Sequence, residues 1–312
     1  MKTLIFCLNF FFIILNSQHA LGQTIRERIA ERIASRQQVE SMDQEEDTSP
    51  NRNFNPENAI VQRNISYGAD KAQSFDVYIP KNAQNAPVII MVHGGGWHNG
   101  DKAMNRVVEN KVNRWLPKGI IFVSVNYRML PKADPLIQAN DVSLALAKAQ
   151  SLAASWGADS KRFILMGHSA GAHLVALISA NSDIAKQQGA LPWLGTVMLD
   201  SAAYDLEKTM TSKHLSLYDN AFGKDSAFWR SASPSFQLTK KTVPMLAVCS
   251  SIRKDQPCLQ AEGFIEKAVK LGNQASVLPE ALSHSEINET LGLNNEYTDK
   301  VEAFLRSLGF PV

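Results

Sequence analysis

The chain has 312 residues, which is long enough for one large domain with a sizeable hydrophobic core. Hydrophobic residues make up 45% of it and charged residues 20%, the ordinary balance of a globular protein. The formal net charge of +2 gives no reason to expect nucleic acid as a partner.

The first 22 residues have the pattern of a secretory signal peptide. Lys2 is the only charge before an apolar run from Leu4 to Leu15, and Ala20 and Gly22 place small residues before a cut at Gln23. A membrane anchor is the alternative, but the apolar run is short for a span of roughly 20 residues. We therefore predict a secreted or periplasmic protein without stable membrane insertion after cleavage.

Residues 23–56 differ in composition from the rest and are predicted to form an N-terminal arm. Ile25, Ile29 and Ile33 recur every four residues among charged side chains, which predicts a short amphipathic helix. The acidic polar stretch from Glu40 to Asn53 is typical of a disordered linker. The catalytic domain is expected to occupy residues 57–312.

Residues 57–312 have the pattern of an α/β domain. Two segments alternate like half-buried strands, and six later segments are continuous apolar runs, typical of parallel strands buried on both faces. A segment rich in Ala and Leu, Ala139–Ala154, has helical spacing. The predicted strands are Ala59–Ser66, Ser74–Ile79, Val88–Val92, Ile120–Val125, Phe163–Met166, Val197–Leu199, Met245–Val248 and Ala275–Leu278. This order predicts a mixed sheet of mostly parallel strands.

A glycine run follows the third predicted strand. Residues 92–97 read Val-His-Gly-Gly-Gly-Trp. Successive glycines let backbone N–H groups turn toward one point, as an acyl-transfer enzyme needs where its tetrahedral oxyanion forms. A flexible glycine loop is the alternative, and the motif described next makes it the weaker one.

The strongest motif lies at residues 167–171, which read Gly-His-Ser-Ala-Gly. It follows the strand Phe163–Met166 and precedes a helical run, Ala172–Ser179. A nucleophilic serine needs a sharp turn of this kind, and flanking glycines remove side chains that would clash there. We predict Ser169 as the nucleophile, with an oxyanion hole formed by the amides of Gly95, Gly96 and Ala170.

On these two motifs the chain resembles the esterases of the α/β-hydrolase fold that carry an HGGGW oxyanion loop and a GHSAG elbow. It is most similar to the small carboxylesterase and arylformamidase-like group, whose pattern residues 101–102 (Asp-Lys) and 126–128 (Asn-Tyr-Arg) also fit. The resemblance covers roughly Asn64 to Leu308. It implies an α/β-hydrolase fold with a central, mostly parallel eight-stranded sheet and helices on both faces.

The catalytic base is expected late in the chain, because the triad order in this fold is Ser, acid, His. His284 follows the last predicted strand, and its His-x-x-Ile-Asn string is similar to that of the family. His173 lies within the helical run after the elbow. His214 lies in a polar insertion and is expected at the surface or the rim of the site.

The acid is predicted to be Asp255. In the family the acid occupies the loop after the strand Met245–Val248, and Asp255 is the only carboxylate in residues 250–258. Its task would be to hold the imidazole tautomer and to stabilise the imidazolium. Asp200 and Asp205, which follow the preceding strand, are the rivals; Asp205 lies in a Tyr-Asp-Leu string that resembles a structural turn of the family.

The three cysteines are Cys7, Cys249 and Cys258. Signal cleavage would remove Cys7, and an oxidising compartment would allow Cys249 and Cys258 to form a disulfide. Two unpaired buried thiols are the alternative. A disulfide would clamp the loop that contains Asp255.

The sequence thus predicts a serine hydrolase that cleaves carboxylic esters of small molecules through an acyl-enzyme, without a metal or organic cofactor. An amide hydrolase of the formamidase, arylformamidase or peptidase type would use the same triad. A non-catalytic, hydrolase-like binding protein is a rival from another class. Neither the acyl and alcohol specificity nor the oligomeric state follows from the sequence.

Overall fold

Eight strands form one sheet in the computed structural model, which describes residues 50–312. The predicted signal peptide and residues 23–49 of the predicted arm lie outside the described residues. The strands are β1 (Ala59–Ser66), β2 (Ser74–Pro80), β3 (Ala86–Val92), β4 (Ile121–Val125), β5 (Ala158–His168), β6 (Gly195–Leu199), β7 (Met245–Ser250) and β8 (Ala275–Glu280). Each overlaps a strand predicted from the sequence, and the largest difference is at β5, which begins earlier.

The strand order is β1-β2-β4-β3-β5-β6-β7-β8. Strand β2 is antiparallel to β1 and β4, and all other neighbours are parallel. This confirms the predicted mostly parallel sheet and the α/β-hydrolase fold class. Because β3 lies between β4 and β5, the chain adds strands to one side of β3 and then to the other side. In such sheets the crevice outside the carboxyl ends of the strands at this point is where ligands bind.

Most of the connections between the strands are helical. The helices of the described part are α1 (Asn105–Trp115), α2 (Pro135–Leu152), α3 (Ala170–Ala180), α4 (Asp183–Gln187), α5 (Leu206–Thr211), α6 (Ser216–Phe222), α7 (Ser226–Ala232), α8 (Pro234–Gln237), α9 (Pro257–Lys270), α10 (His284–Glu289) and α11 (Glu296–Ser307). Within residues 50–312 none of them is both long and apolar enough to cross a membrane.

The central strands are buried on both faces, as their continuous apolar sequences predict. Successive side chains of a strand point to opposite faces. Ile89 and Met91 of β3 belong to a core cluster that also contains Trp115 of α1 and Leu305 of α11. Ile90, between them, is also fully buried, and the other face is covered by helices that include α2 and α3. The sheet is therefore a rigid, fully packed support for the loops at its edge.

Residues 50–56, which the sequence analysis assigned to the arm, contact the catalytic domain. The Asn51 amide donates a hydrogen bond to the Ala103 carbonyl over 2.8 Å. The Phe54 ring packs 5.8 Å from that of Tyr78, and the Phe54 carbonyl accepts a hydrogen bond from Arg63. The described part of the predicted arm, residues 50–56, therefore packs against the catalytic domain.

Candidate active site

Ser169 occupies the turn between β5 and α3 with φ 55° and ψ −118°. A positive φ is strained for a residue with a side chain, and such strain is concentrated at functional sites. The Ser169 amide donates to the Leu199 carbonyl over 2.9 Å. A Cβ atom at Gly171 would collide with the Val92 carbonyl oxygen, so only glycine allows α3 to begin this close to β3.

The glycine loop after β3 passes directly beside the nucleophile. A Cβ atom built on Gly94 would lie 2.9 Å from the Ser169 Cβ. Gly95 and Gly96 have φ angles of 108° and 57°, a conformation in which successive N–H groups can point toward one anion. Among the described residues, the amides of Gly95, Gly96 and Ala170 have no hydrogen-bond acceptor. The loop that contains the predicted donors Gly95 and Gly96 therefore passes beside Ser169, and Ala170 follows Ser169 directly.

His284 is the first residue of α10 and lies beside the elbow. Its ring centroid is 4.5 Å from that of His168, the residue before the nucleophile, and the His284 carbonyl lies 2.9 Å from His168 Nε2. Ser283 begins the helix with a capping box that includes Glu286, which fixes the backbone under His284. Burial, followed by the neighbouring His284, holds the pKa of His168 well below its usual range. His168 is therefore neutral at ordinary pH.

The carboxylate beside His284 is Asp200, which corrects the prediction of Asp255. Asp200 follows β6 directly and is fully buried. Its Oδ2 lies 2.6 Å from His284 Nδ1, and its Oδ1 accepts a hydrogen bond from the Ser250 amide over 2.8 Å. Burial favours a raised pKa at Asp200, but the Arg253 charge and the hydrogen bonds from His284 and Ser250 hold that pKa well below its usual range.

Asp255 binds Arg253 instead of His284. Arg253 Nε lies 2.9 Å from Asp255 Oδ1, and Arg253 Nη2 binds Asp255 Oδ2, so the carboxylate is engaged through both oxygens. Arg253 Nη1 in turn lies 2.6 Å from Asp200 Oδ2 and 3.0 Å from His284 Nδ1. The prediction of Asp255 was wrong because an arginine two residues earlier in the same loop takes its carboxylate.

The side chains of the other two histidines considered above bind groups other than Ser169, Asp200 and His284. His173 Nε2 donates to the Ala232 carbonyl over 2.8 Å, and its Nδ1 accepts from Trp97 Nε1 over 3.2 Å. Burial lowers the pKa of His173 to about 4, so this neutral ring links the glycine loop to α7. His214 pairs with Asp219 over 3.2 Å.

The segment between β6 and β7 covers this edge of the sheet with the short helices α5 to α8. Trp97, at the end of the glycine loop, packs 4.9 Å from Phe222 and 5.7 Å from Tyr218 of α6. A cavity of about 250 Å³ lies between this segment and the loop that contains Asp255, and Ala202, Leu215 and Tyr218 are among its lining residues.

The model of the BD-FAE family matches residues 75–267, more than half of the chain. The chain belongs to the BD-FAE family. The matched region begins in β2 and ends in α9. It contains Ser169, the glycine loop, Asp200 and Asp255, whereas His284 lies beyond it.

Relatives of this BD-FAE chain include proteins named as esterases and as a formamidase. It is 28% identical to Esterase LipC of Mycobacterium tuberculosis (strain ATCC 25618 / H37Rv) over 67% of its own length and 55% of that protein. It is 29% identical to the kynurenine formamidase of Salmo salar, over 46% of each chain. The alignments span about half or less of the curated relatives first matched.

Solved structures share the fold. Esterase B from Lactobacillus Rhamnosis (HN001) has a TM-score of 0.68 at 21% identity, over 90% of this chain and 94% of that one. A truncated carbohydrate esterase from gut microbiota has a TM-score of 0.69 at 18% identity, over 81% and 99%. These likenesses support the α/β-hydrolase architecture of the BD-FAE chain.

The disulfide prediction is confirmed: Cys249, in β7, is bonded to Cys258, in the first turn of α9. The bridge closes the loop that contains Arg253 and Asp255. No cluster of three or more His, Cys, Asp or Glu suited to a metal ion occurs in residues 50–312. The charged residue in contact with Asp200 and His284 that sequence reasoning did not single out is Arg253. Its position two residues before Asp255 was the available signal, because side chains that far apart in a loop can pair.

Proposed function

We propose that the protein is a serine hydrolase that cleaves carboxylic esters of small molecules. Ser169 is the nucleophile, His284 the general base and Asp200 the acid of the triad. The amides of Gly95, Gly96 and Ala170 form the oxyanion hole. The observation that carries the proposal is the buried Asp200 carboxylate 2.6 Å from His284 Nδ1, beside the strained serine turn.

The reaction follows from this arrangement. With its proton on Nδ1, held by Asp200, His284 has Nε2 free to take the Ser169 proton as Oγ attacks the acyl carbonyl. The oxyanion is stabilised by backbone N–H groups that are already oriented before the reaction. His284 then gives the proton to the leaving alcohol, an acyl-enzyme forms, and water activated by His284 releases the acid.

The electrostatics around the base support this role. Asp200 stays ionised through the acid range, because the Arg253 charge and two N–H donors outweigh the effect of burial. His168, in ring contact with His284, is neutral and does not oppose the imidazolium. An imidazolium formed during the reaction therefore faces the Asp200 carboxylate and the neutral His168 ring, while the Arg253 guanidinium lies 3.0 Å from its Nδ1.

The experiment is the Ser169→Ala variant assayed with nitrophenyl esters of graded acyl length. We expect hydrolysis to fall to the background rate while the melting temperature stays close to that of the wild type, because an elbow side chain contributes little packing. A fluorophosphonate probe should label the wild type and not the variant. Retention of the wild-type kcat by the variant would exclude Ser169 as the nucleophile, whereas a wild type that neither labels nor hydrolyses any ester would favour the binding-protein alternative.

An amide hydrolase of formamidase type is a second candidate, favoured by the similarity to the kynurenine formamidase of Salmo salar. The same triad serves both reactions. Adding N-formylkynurenine to the ester panel separates the two. A kcat/KM that is higher for the formamide than for every ester would assign the amide reaction.

We also propose that the chain is exported and cleaved before Gln23, since residues 1–22 have the signal pattern described above. The Cys249–Cys258 bridge supports an oxidising compartment. Expression of the full chain in a secreting bacterial host, followed by mass determination, should give a secreted or periplasmic product that starts at Gln23. An intact Met1 product in the cytoplasm would contradict this.

A further inference from the structure

A guanidinium lies in direct contact with both the acid and the base of the proposed triad. Arg253 Nη1 is 2.6 Å from Asp200 Oδ2 and 3.0 Å from His284 Nδ1, and the Arg253 side chain is only 11% exposed. With the proton on Nδ1, both nitrogens donate to the same Oδ2 atom. The short distance between the nitrogens then follows from their shared acceptor.

This position has an electrostatic cost for catalysis. When Ser169 transfers its proton, His284 becomes an imidazolium, and a like charge about 4–6 Å away or closer disfavours the charged form. Arg253 also takes part of the Asp200 charge that would otherwise face the imidazolium. An arginine at this position without a second carboxylate partner would therefore make His284 a weaker base.

Asp255 offsets that cost. It binds the other two nitrogens of the Arg253 fork, Nε and Nη2, in the two-point geometry that is typical of strong arginine–carboxylate pairs. With His284 neutral, the two carboxylates and one guanidinium carry a net charge of −1, and formation of the imidazolium brings the group to zero. Without Asp255 the same step would leave a net positive charge in a mostly buried site.

We propose that Arg253 is a positioning residue that fixes the Asp200 carboxylate against His284, and that Asp255 restores the negative charge that Arg253 takes from the pair. The inference rests on the proposed function. It gives Asp255 a role at the site although Asp255 does not contact the base. The Cys249–Cys258 bridge closes the loop that holds both residues and so limits their movement relative to Asp200.

Other charged and titratable groups face this network. Tyr218 of α6 is buried near Arg253, and burial raises its pKa, so it is neutral. The His168 ring packs against that of His284 at a tilt of 39°. Burial, His284 and, to a smaller extent, the Lys111 charge lower the pKa of His168. Lys208, Lys213 and His214 line the cavity that Asp255 also lines. Since Tyr218 and His168 are neutral near pH 7, Arg253 and Asp255 are the charges next to the triad that variants can change directly.

The test measures kcat/KM for a nitrophenyl ester against pH in the full chain, for Asp255→Asn, Arg253→Met and Arg253→Lys. Asp255→Asn should move the acid limb of the profile to lower pH by about one unit, the size expected for one uncompensated neighbouring charge. It should lower kcat about tenfold, with KM less affected. Arg253→Met should move the limb the opposite way. Arg253→Lys should leave it near the wild type, because the charge remains, but should lower kcat, because the fork is lost.

The matched control is Asp183→Asn, which removes the same charge from a surface pair with Lys240 and should leave the limb unmoved. Limbs that stay in place for both Asp255→Asn and Arg253→Met, or that move in the same direction, would overturn the proposal. Melting temperatures identify variants that fail to fold. If Arg253→Met fails to fold, Arg253→Lys still tests the proposal.

A readout that does not depend on activity separates this proposal from the function. The low-field proton resonance of His284 Nδ1–H, assigned with His284→Ala, should shift in opposite directions in Asp255→Asn and Arg253→Met. If Ser169→Ala keeps the wild-type rate while these shifts are observed, the proposed function fails and the charge network stands. An unchanged resonance in both variants would overturn the network whatever the activity.

Discussion

Ser169 and Asp200, at the ends of neighbouring strands, both have positive φ angles, of 55° and 56°. Strand β5 pairs with β6 in parallel, and His168 lies opposite Leu199. The two residues that follow this pair are therefore side by side. A positive φ is disfavoured for residues with side chains, and it persists at both positions because the surrounding contacts fix it.

The first residue-scale prediction concerns the acid. Asp200→Asn should lower kcat on the order of 10⁴-fold, as loss of the tautomer-holding carboxylate does in the serine-protease template. Asp255→Asn should cost only about tenfold by the charge argument above. Asp205→Asn is the control, because Asp205 caps α5 through the Lys208 amide over 3.1 Å and should act on stability. A larger loss in Asp255→Asn than in Asp200→Asn would return the acid role to Asp255.

At the scale of elements, the short helix that begins with His284 is held at both ends. The capping box holds its first turn. At its other end three side chains donate to successive carbonyls: Tyr297 to Ile287 over 2.9 Å, Lys111 to Asn288 over 2.5 Å, and Asn110 to Glu289 over 2.7 Å. Helix C-termini leave carbonyls without partners, and here the first and last helices of the described domain supply the donors. The base is therefore positioned by elements distant in sequence.

The disulfide is the other device at this scale. It closes a loop with a sequence separation of 9, for which the chain-entropy estimate gives on the order of 2–3 kcal/mol. Cys258→Ser should therefore lower the melting temperature. It should also lower kcat, with KM less affected, because Arg253 and Asp255 lie in the released loop. Peptide mapping without reductant should recover the linked Cys249–Cys258 peptide, and alkylation of both thiols in the non-reduced, exported protein would contradict the bridge.

At the scale of the whole molecule, Glu302 joins the last helix to the first. Its carboxylate is 2% exposed and accepts from Arg114 over 2.8 Å, from Trp115 over 3.0 Å and from Lys118 over 2.7 Å. Burial favours a raised pKa, but the hydrogen bonds from these three residues lower the pKa of Glu302 to about 2 from its ordinary value of 4.5. The contact therefore depends on an ionised carboxylate.

Glu302→Gln should lower the free energy of unfolding at pH 7 by about 1–3 kcal/mol, the cost of losing hydrogen bonds to a charged group. As the pH falls below 4.5, the unfolded chain takes up the Glu302 proton before the folded chain does. The stability difference between wild type and variant should therefore be complete above about pH 4.5 and vanish as the pH falls toward 2. Denaturant titrations across this range measure it, and a difference that does not change with pH would contradict the role of the charge.

The sequence by itself determined the strands, the nucleophile turn, the glycine loop and the position of His284. Each of these follows from a pattern of neighbouring residues: continuous apolar runs for buried strands, glycines where a Cβ would collide, and a histidine after the last strand. Contiguous residues carry these signals, so no distant contact is needed to interpret them. The two cysteines were predicted to pair because signal cleavage would leave only these two in an oxidising compartment.

Only the tertiary structure decided which carboxylate contacts His284. Asp200 and Asp255 follow adjacent parallel strands, so both come to the same edge of the sheet, and chain order allows either. The choice depends on the course of the loop after β7, which brings Arg253 between them and commits Asp255 to that arginine through both oxygens. Asp200 is left fully buried against His284. The Arg253 guanidinium therefore decides which carboxylate reaches His284. It is placed by contacts between residues about fifty positions apart, and no pattern of neighbouring residues predicts such contacts.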